Sequence, residues 1–236
     1  MLIKIRRRLR EDVISVALYY KNRQIYKCVA KPYKVIYVSA KNKRLRLQRK
    51  DKVIVEKHTI PGQIIDGDWD IYAFEQNQEE NTRYISRIEH FVNGIPWEKT
   101  TIFRNRWIPM LAEKGECYGC SSIEELVERY KRKNDHMYDK IKRKGVVTRT
   151  IKNPFIDVIY VHVGRNGEFI YTDNGNHRLA IADLLGIKKI PVRVWTRHKK
   201  WQEIRDNFEE LLCQPNSKTI SMLKCHADLQ DLLNKE

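Results

Sequence analysis

The sharpest alternation of hydrophobic and polar positions lies between Val158 and Trp195. Val158-Ile159-Tyr160-Val161-His162-Val163 is dense in β-branched and aromatic residues and predicts a buried strand. Gly164-Arg165-Asn166-Gly167 has hairpin-turn chemistry, since Asn and Gly tolerate positive φ, and Phe169-Ile170-Tyr171 predicts the returning strand. Six polar residues follow: Asp173-Asn174-Gly175-Asn176-His177-Arg178. Leu179, Ile181, Ala182, Leu184 and Leu185 then recur at helical spacing until Gly186 stops the helix, and Ile190 to Trp195 starts another strand. The polar hexad therefore sits where a strand hands over to a helix N-terminus.

The rest of the chain is patterned less uniformly. Val13 to Tyr20 is apolar-rich, with helix and strand equally compatible. Tyr33–Val38, Leu45–Leu47 and Val53–Val55 predict three short strands of a small sheet with a charged outer face. Tyr84–Val92 predicts a helix closed by Asn93-Gly94. Residues 104–144 predict helix, with a serine N-cap at Ser121-Ser122, first-turn Glu124-Glu125, and an apolar stripe of Leu126, Val127, Tyr130, Met137, Tyr138 and Ile141. Ile204, Phe208, Leu211 and Leu212 mark a further helix, and Met222, Leu223, Leu229, Leu232 and Leu233 a last one. The sum is an α+β chain.

Charge changes that picture mainly at one end. The net charge is +16, and the first sixty residues hold 18 Lys and Arg against 4 Asp and Glu. Such an excess suits a polyanion, nucleic acid among them, although a solvated face with aggregation-blocking lysines has the same composition. No apolar run approaches the eighteen or so residues of a membrane helix. With no signal-peptide pattern and an odd five cysteines, a reduced cytoplasmic setting is expected.

Two clusters invite a metal. Asp66, Asp68 and Asp70 lack the downstream Glu spacing of a Ca²⁺ loop, so a polar turn is expected. Cys117-Tyr118-Gly119-Cys120 supplies at most two of the four ligands of tetrahedral zinc, and the adjacent pair Cys225-His226 is a weak complement, so no zinc is expected.

The strand-to-helix hexad is the chemical candidate. Helix N-termini present free N–H groups and a positive dipole end that favour anions, phosphate above all. Gly175 opens the backbone to a ligand, and His177 and Arg178 add donors. Asn174, Gly175, Asn176, His177 and Arg178 are therefore the predicted phosphate- or nucleotide-binding set. Asp173 and His177 are the catalytic candidates, with Arg197 and His198 as a secondary pocket on the next strand. Glu168, Asp157 and the Asp66–Asp70 cluster are further candidate bases. The dipole contributes only about 0.3–1 kcal/mol, so affinity must come mainly from side-chain and loop N–H contacts.

Read together, the helix ending Met137 to Gly145, the hairpin, Gly175-Asn176-His177-Arg178-Leu179-Ala180 and the Leu185-Gly186-Ile187…Ile190-Pro191-Val192 strand entry resemble the ParB/sulfiredoxin-like superfamily. The resemblance covers residues 104–200. It implies a mixed α/β domain there and says little about the rest of the chain, where charge and hydrophobic pattern give a basic, β-rich region at 1–103 with an acidic second half, and a helical tail at 201–236. Asn176 stands where sulfiredoxins carry the catalytic cysteine, which excludes their thiol chemistry. CTP-binding partition proteins typically carry Glu and Arg where this chain has Asn176 and His177. The family's serine-kinase relatives read Asp-Gly-x-His-Arg, and here Asn174 takes the Asp position, with Asp173 one residue earlier. What the resemblance implies is nucleotide or phosphate binding, with Mg²⁺ accompanying a nucleoside phosphate and possible phosphotransferase or nucleotide-hydrolase activity. The competing expectation is a non-enzymatic nucleic-acid-binding module using residues 1–60.

Overall fold

Ten helices and seven strands make up the computed structural model, which describes residues 2–31, 33–40, 43–77, 81–148, 158–214 and 217–233. In chain order they are α1 (Leu2–Asn22), β1 (Val35–Ser39), β2 (Lys43–Arg46), α2 (Arg49–His58), β3 (Gln63–Ile65), β4 (Phe74–Asn77), α3 (Thr82–Phe91), α4 (Ile108–Lys114), α5 (Ile123–Lys144), β5 (Tyr160–Val163), β6 (Phe169–Tyr171), α6 (Asn176–Leu184), β7 (Lys189–His198), α7 (Lys199–Asp206), α8 (Phe208–Leu212), α9 (Ser217–Cys225) and α10 (Gln230–Leu233). The chain is mixed α/β, in keeping with the α+β class. No described helix is long and apolar enough to cross a membrane.

All the strands join one sheet, in the order β1-β7-β5-β6-β2-β4, with β3 also on β7. The ten-residue β7 carries parallel β5 along one edge. Its other edge is shared by antiparallel β1 over the first half and parallel β3 over the second. Val161 faces Val194 but Val163 faces Arg197, so β7 holds one extra residue between those pairs. Such a bulge reverses the in–out alternation beyond it. Ile190, Val192 and Val194 therefore enter the core with Leu179, Trp201, Phe208 and Leu229, and beyond the bulge Arg197 takes that same side to meet Asp228. Thr196 turns to the opposite face, where it meets the His162 imidazole.

That opposite face is covered by α2 and the loop after β3, through Leu47, Val55, Trp69 and Ile170. A third cluster joins the region from α3 to α5 around Trp97, Phe103, Trp107, Leu126 and Val127. A π-helical turn, Phe103–Trp107, leads into α4 and turns both aromatic side chains inward.

One open reading is resolved and several expectations are corrected. The ambiguous Val13–Tyr20 stretch is helical, within α1. Val53–Val55 is not a strand but the middle of α2. Its β-branched residues favour strand locally, but Asp51 and Val55, one helical turn apart, both pack inward, and tertiary burial outweighs propensity. Among the described residues of the 1–103 region helix outweighs strand, so it is not β-rich, and its strands form no sheet of their own. β1 and β2 are built into the sheet of β5–β7, which takes strands from both sides of the expected 103/104 boundary. Two charges of β2 also lie inside. Leu45 packs toward the α2 face, so Arg44 and Arg46 point to α6 and are 1% and 6% exposed. Part of the basic excess of the first sixty residues is thus turned inward.

Candidate functional site

The polar hexad forms a tight turn from β6 into α6. Gly175 adopts φ +91°, in the left-handed region, immediately before the helix begins at Asn176. A Cβ on Gly175 would come within 2.7 Å of Ile159 Cγ1 and 3.3 Å of Arg178 Nη2. The glycine is therefore required by the turn and by packing on Ile159, just before β5, and the space that a side chain would fill belongs to that residue rather than to a ligand. The Asn174 N–H donates to Thr172 Oγ1 at 3.2 Å, and no side chain caps α6.

Two elements distant in sequence bring cations to one flank of this turn. Arg46 of β2 donates to the Tyr171 carbonyl at 3.1 Å, to the Thr172 carbonyl and to Asn176 Oδ1. Lys52 of α2 pairs with Asp173, whose other oxygen lies 3.9 Å from Arg46. Arg44, one pleat back, donates to the Leu179 carbonyl at 3.2 Å and lies 3.8 Å from Asp183. Burial pulls both guanidinium pKa values below their ordinary range, while Asp183 and Asp173 oppose the shift. Arginine stays charged through such shifts. Two buried positive charges thus lie alongside the first turns of α6.

The other flank is made by α3 and α5. Arg87 Nη2 lies 2.5 Å from His177 Nδ1 and 3.2 Å from Asn134 Oδ1, while its Nη1 donates to the Arg83 carbonyl at 2.7 Å. Guanidinium nitrogens only donate, so Nδ1 must accept and the imidazole proton sits on Nε2. Desolvation first, then the Arg87 charge, lowers the His177 pKa to about 3. His177 is therefore a neutral hydrogen-bond donor and not a cation.

His177 forms part of the wall of a 260 Å³ cavity between α3, the π-helical turn and α5. Arg83, Arg129 and Lys133 line it with positive charge, and Trp107, Tyr118 and Tyr130 line it with rings. Burial pushes the Tyr130 hydroxyl pKa up, so it stays protonated. Tyr118 reaches this wall because Cys117 and Cys120 form a two-residue hairpin. Tyr118 and Gly119 both have positive φ, and the cysteines exchange backbone hydrogen bonds of 2.9 and 3.1 Å.

Other predicted residues lie elsewhere. Arg197 and His198 do not join the hexad: β6 runs antiparallel to β5, and β5 parallel to β7, so the end of β7 adjoins the start of β6. There Arg197 makes a two-pronged pair with buried Asp228, at 2.9 and 2.7 Å. His198 caps α7 through Nδ1 and donates from Nε2 to the Gly67 carbonyl at 2.8 Å. Glu168 accepts from the Asn166 N–H inside the hairpin turn. Asp157 lies outside the described residues. The three aspartates of the 66–70 turn are tied down by cations: Arg165 bridges Asp68 and Asp70 at 2.9 and 2.7 Å, and Lys199 approaches Asp66.

No group of three His, Cys, Asp or Glu side chains suited to a metal occurs among the described residues. At the hexad the carboxylate of Asp173 is already engaged by Lys52 and Arg46. The residues there do not fit a resident Mg²⁺, which takes one or two carboxylates as ligands.

Comparison with models of known families, with curated proteins and with solved structures finds no match to this chain. The ParB/sulfiredoxin-like reading therefore rests on the order of its motifs. The local sequence located the hexad but missed Arg46, Lys52, Arg87 and Asn134, which surround it. The one available signal was the Arg44-Leu45-Arg46 alternation, with arginine at the positions a pleat directs to one face.

Proposed function

We propose that the chain binds a phosphorylated small ligand, a nucleotide or another phosphate ester, at the start of α6, as the ParB/sulfiredoxin-like resemblance implies. The cavity beside His177 carries this reading. It combines three cations for phosphate with three aromatic rings for a planar base, and His177 Nε2–H adds a neutral donor. Its size suits part of a small ligand, with the remainder outside.

Of the two catalytic candidates, His177 cannot accept a proton at Nε2 while Arg87 occupies Nδ1, and Asp173 is neutralised by Lys52. Binding is therefore the better-supported activity. Phosphate transfer or hydrolysis would need Asp173, on the opposite flank of the turn from the cavity, freed from Lys52 to orient the nucleophile. Mg²⁺ belongs to this proposal only as a companion of the bound nucleoside phosphate.

A thermal-shift panel of nucleotides and inorganic phosphate, with and without Mg²⁺, tests it on wild type, Arg129→Ala and Lys133→Ala, both substitutions in the cavity wall. At a hundredfold excess over Kd, binding stabilises by about 2.7 kcal/mol. For a chain of this size that raises Tm by roughly 5–10 °C. The shift is expected in wild type and reduced in both variants. No shift in wild type, or equal shifts in all three proteins, rejects the site.

A further inference from the structure

Helix α5 carries a face with a single sign of charge. At about 100° per residue, the positions between Arg129 and Lys144 that fall within about 60° of Arg129 are Arg132, Lys133, His136, Lys140, Arg143 and Lys144. All are exposed. The acidic residues of the stretch lie off this face: Asp135 accepts from the Trp97 indole at 2.9 Å, and Asp139 sits at the margin. The fifteen steps from Arg129 to Lys144, at a rise of 1.5 Å, make the stripe about 22 Å long.

The stripe begins at the cavity, where Arg129 and Lys133 form part of the wall. A line of cations suits a line of phosphates. An aromatic-lined cavity at its end suits an unstacked base, which a duplex does not offer and a single strand does. An anionic lipid surface would satisfy the charges but has no use for the ring-lined cavity.

We infer that α5 binds single-stranded nucleic acid, its phosphates following the basic face and one unpaired nucleotide entering the cavity beside Trp107, Tyr118 and Tyr130. This rests on the proposed function in one respect, that the cavity accepts a nucleoside phosphate, and extends it to a polymeric ligand. The surface differs from residues 1–60, to which the charge distribution of the sequence pointed.

Fluorescence anisotropy with a labelled single-stranded oligonucleotide tests the assignment, using wild type and the triple charge reversal Lys140→Glu, Arg143→Glu, Lys144→Glu. Those three side chains are exposed and lie outside the cavity. Six phosphate contacts at roughly −0.7 each give a slope of log K against log salt near −4, or about a 300-fold loss between 50 and 200 mM salt. The reversal should shrink that slope by at least about 2 and leave mononucleotide binding unchanged. Wild-type affinity and slope in the reversal variant would overturn the inference. So would duplex binding as tight as single-strand binding, or binding to phosphatidylserine vesicles without binding to the oligonucleotide. If wild type binds the mononucleotide but holds the oligonucleotide no more tightly, the strand assignment falls and the cavity reading stands. If wild type binds no mononucleotide, the cavity reading itself falls.

Discussion

His177 should remain uncharged across the physiological pH range. Burial and the neighbouring Arg87 place its pKa at about 3 in the folded chain, against about 6.5 for a free imidazole. The gap of about 3.5 units corresponds to roughly 5 kcal/mol between the two protonation states. Below pH 6.5 the unfolded chain gains a proton at this position that the folded chain refuses, so stability falls as pH falls, by about 1.4 kcal/mol per unit down to the folded pKa. Above pH 6.5 the contribution is flat. Replacing the imidazole by His177→Gln removes the effect. The stability advantage of wild type over the variant should therefore shrink by about 2 kcal/mol between pH 7 and pH 5. Urea denaturation at pH 5, 6 and 7 measures it. Burial also lowers the His162 and His226 pKa values, but these act in both proteins and cancel in the difference. A wild-type-minus-variant stability that stays constant from pH 7 to pH 5 would refute the argument. An independent check needs no variant: the His177 ring resonances of wild type should not titrate between pH 5 and 8, and a midpoint near 6.5 would mean that Arg87 does not hold Nδ1.

Asp228 anchors the C-terminal helices. It is fully buried, paired with Arg197, hydrogen-bonded by the Trp201 indole at 3.1 Å, and near Arg205 and Lys34. Asp228→Asn leaves Lys34 and Arg205 with Asp231 alone, takes from Arg197 the carboxylate it pairs with, and should cost about 3–5 kcal/mol in urea denaturation; a loss below about 1 kcal/mol would show the cluster to be dispensable. Burial pushes the Asp228 pKa up, but Arg197 and Arg205 more than reverse that and hold it well below the usual carboxylate range. Its contribution is therefore complete above about pH 4 and lost as pH falls further, which should make the acid unfolding of wild type steeper than that of the variant. Gly175→Ala meets both a positive φ and Ile159, whereas Gly186→Ala, at φ +64°, meets no atom within 4 Å. The first should cost about 2–4 kcal/mol and the second about 1–2 kcal/mol in the same assay. Equal losses would mean that Ile159 does not crowd the turn.

The local pattern was enough for β5, the Gly164–Gly167 turn, β6, α6, β7 and the serine-capped α5, because each is specified by neighbours in sequence: side-chain period, turn glycines and caps. It also located the junction at Asp173–Arg178. It misread Val53–Val55, a β-branched run compatible with either element until Leu47, Trp69 and Ile170 supply a partner surface for Val55. It left the charge state of His177 open for a related reason. An imidazole beside an arginine in sequence can be a cation or a neutral donor, and the choice is set by Arg87 and by burial, neither of which is encoded within several residues of it.

Arg197 and His198 were drawn toward the junction because a strand and a helix end look alike in one dimension. Their true position follows from the antiparallel β5–β6 hairpin, and the faces they occupy from one bulged residue in β7. The sequence by itself therefore determined where the chain turns, and that one of those turns is rich in polar side chains. Only the tertiary structure decided which cations surround that turn, which are buried as counter-charges, and which protonation state its histidine holds. Local propensity acts over a few residues, whereas burial and Coulomb interactions depend on distances that only the completed sheet brings about.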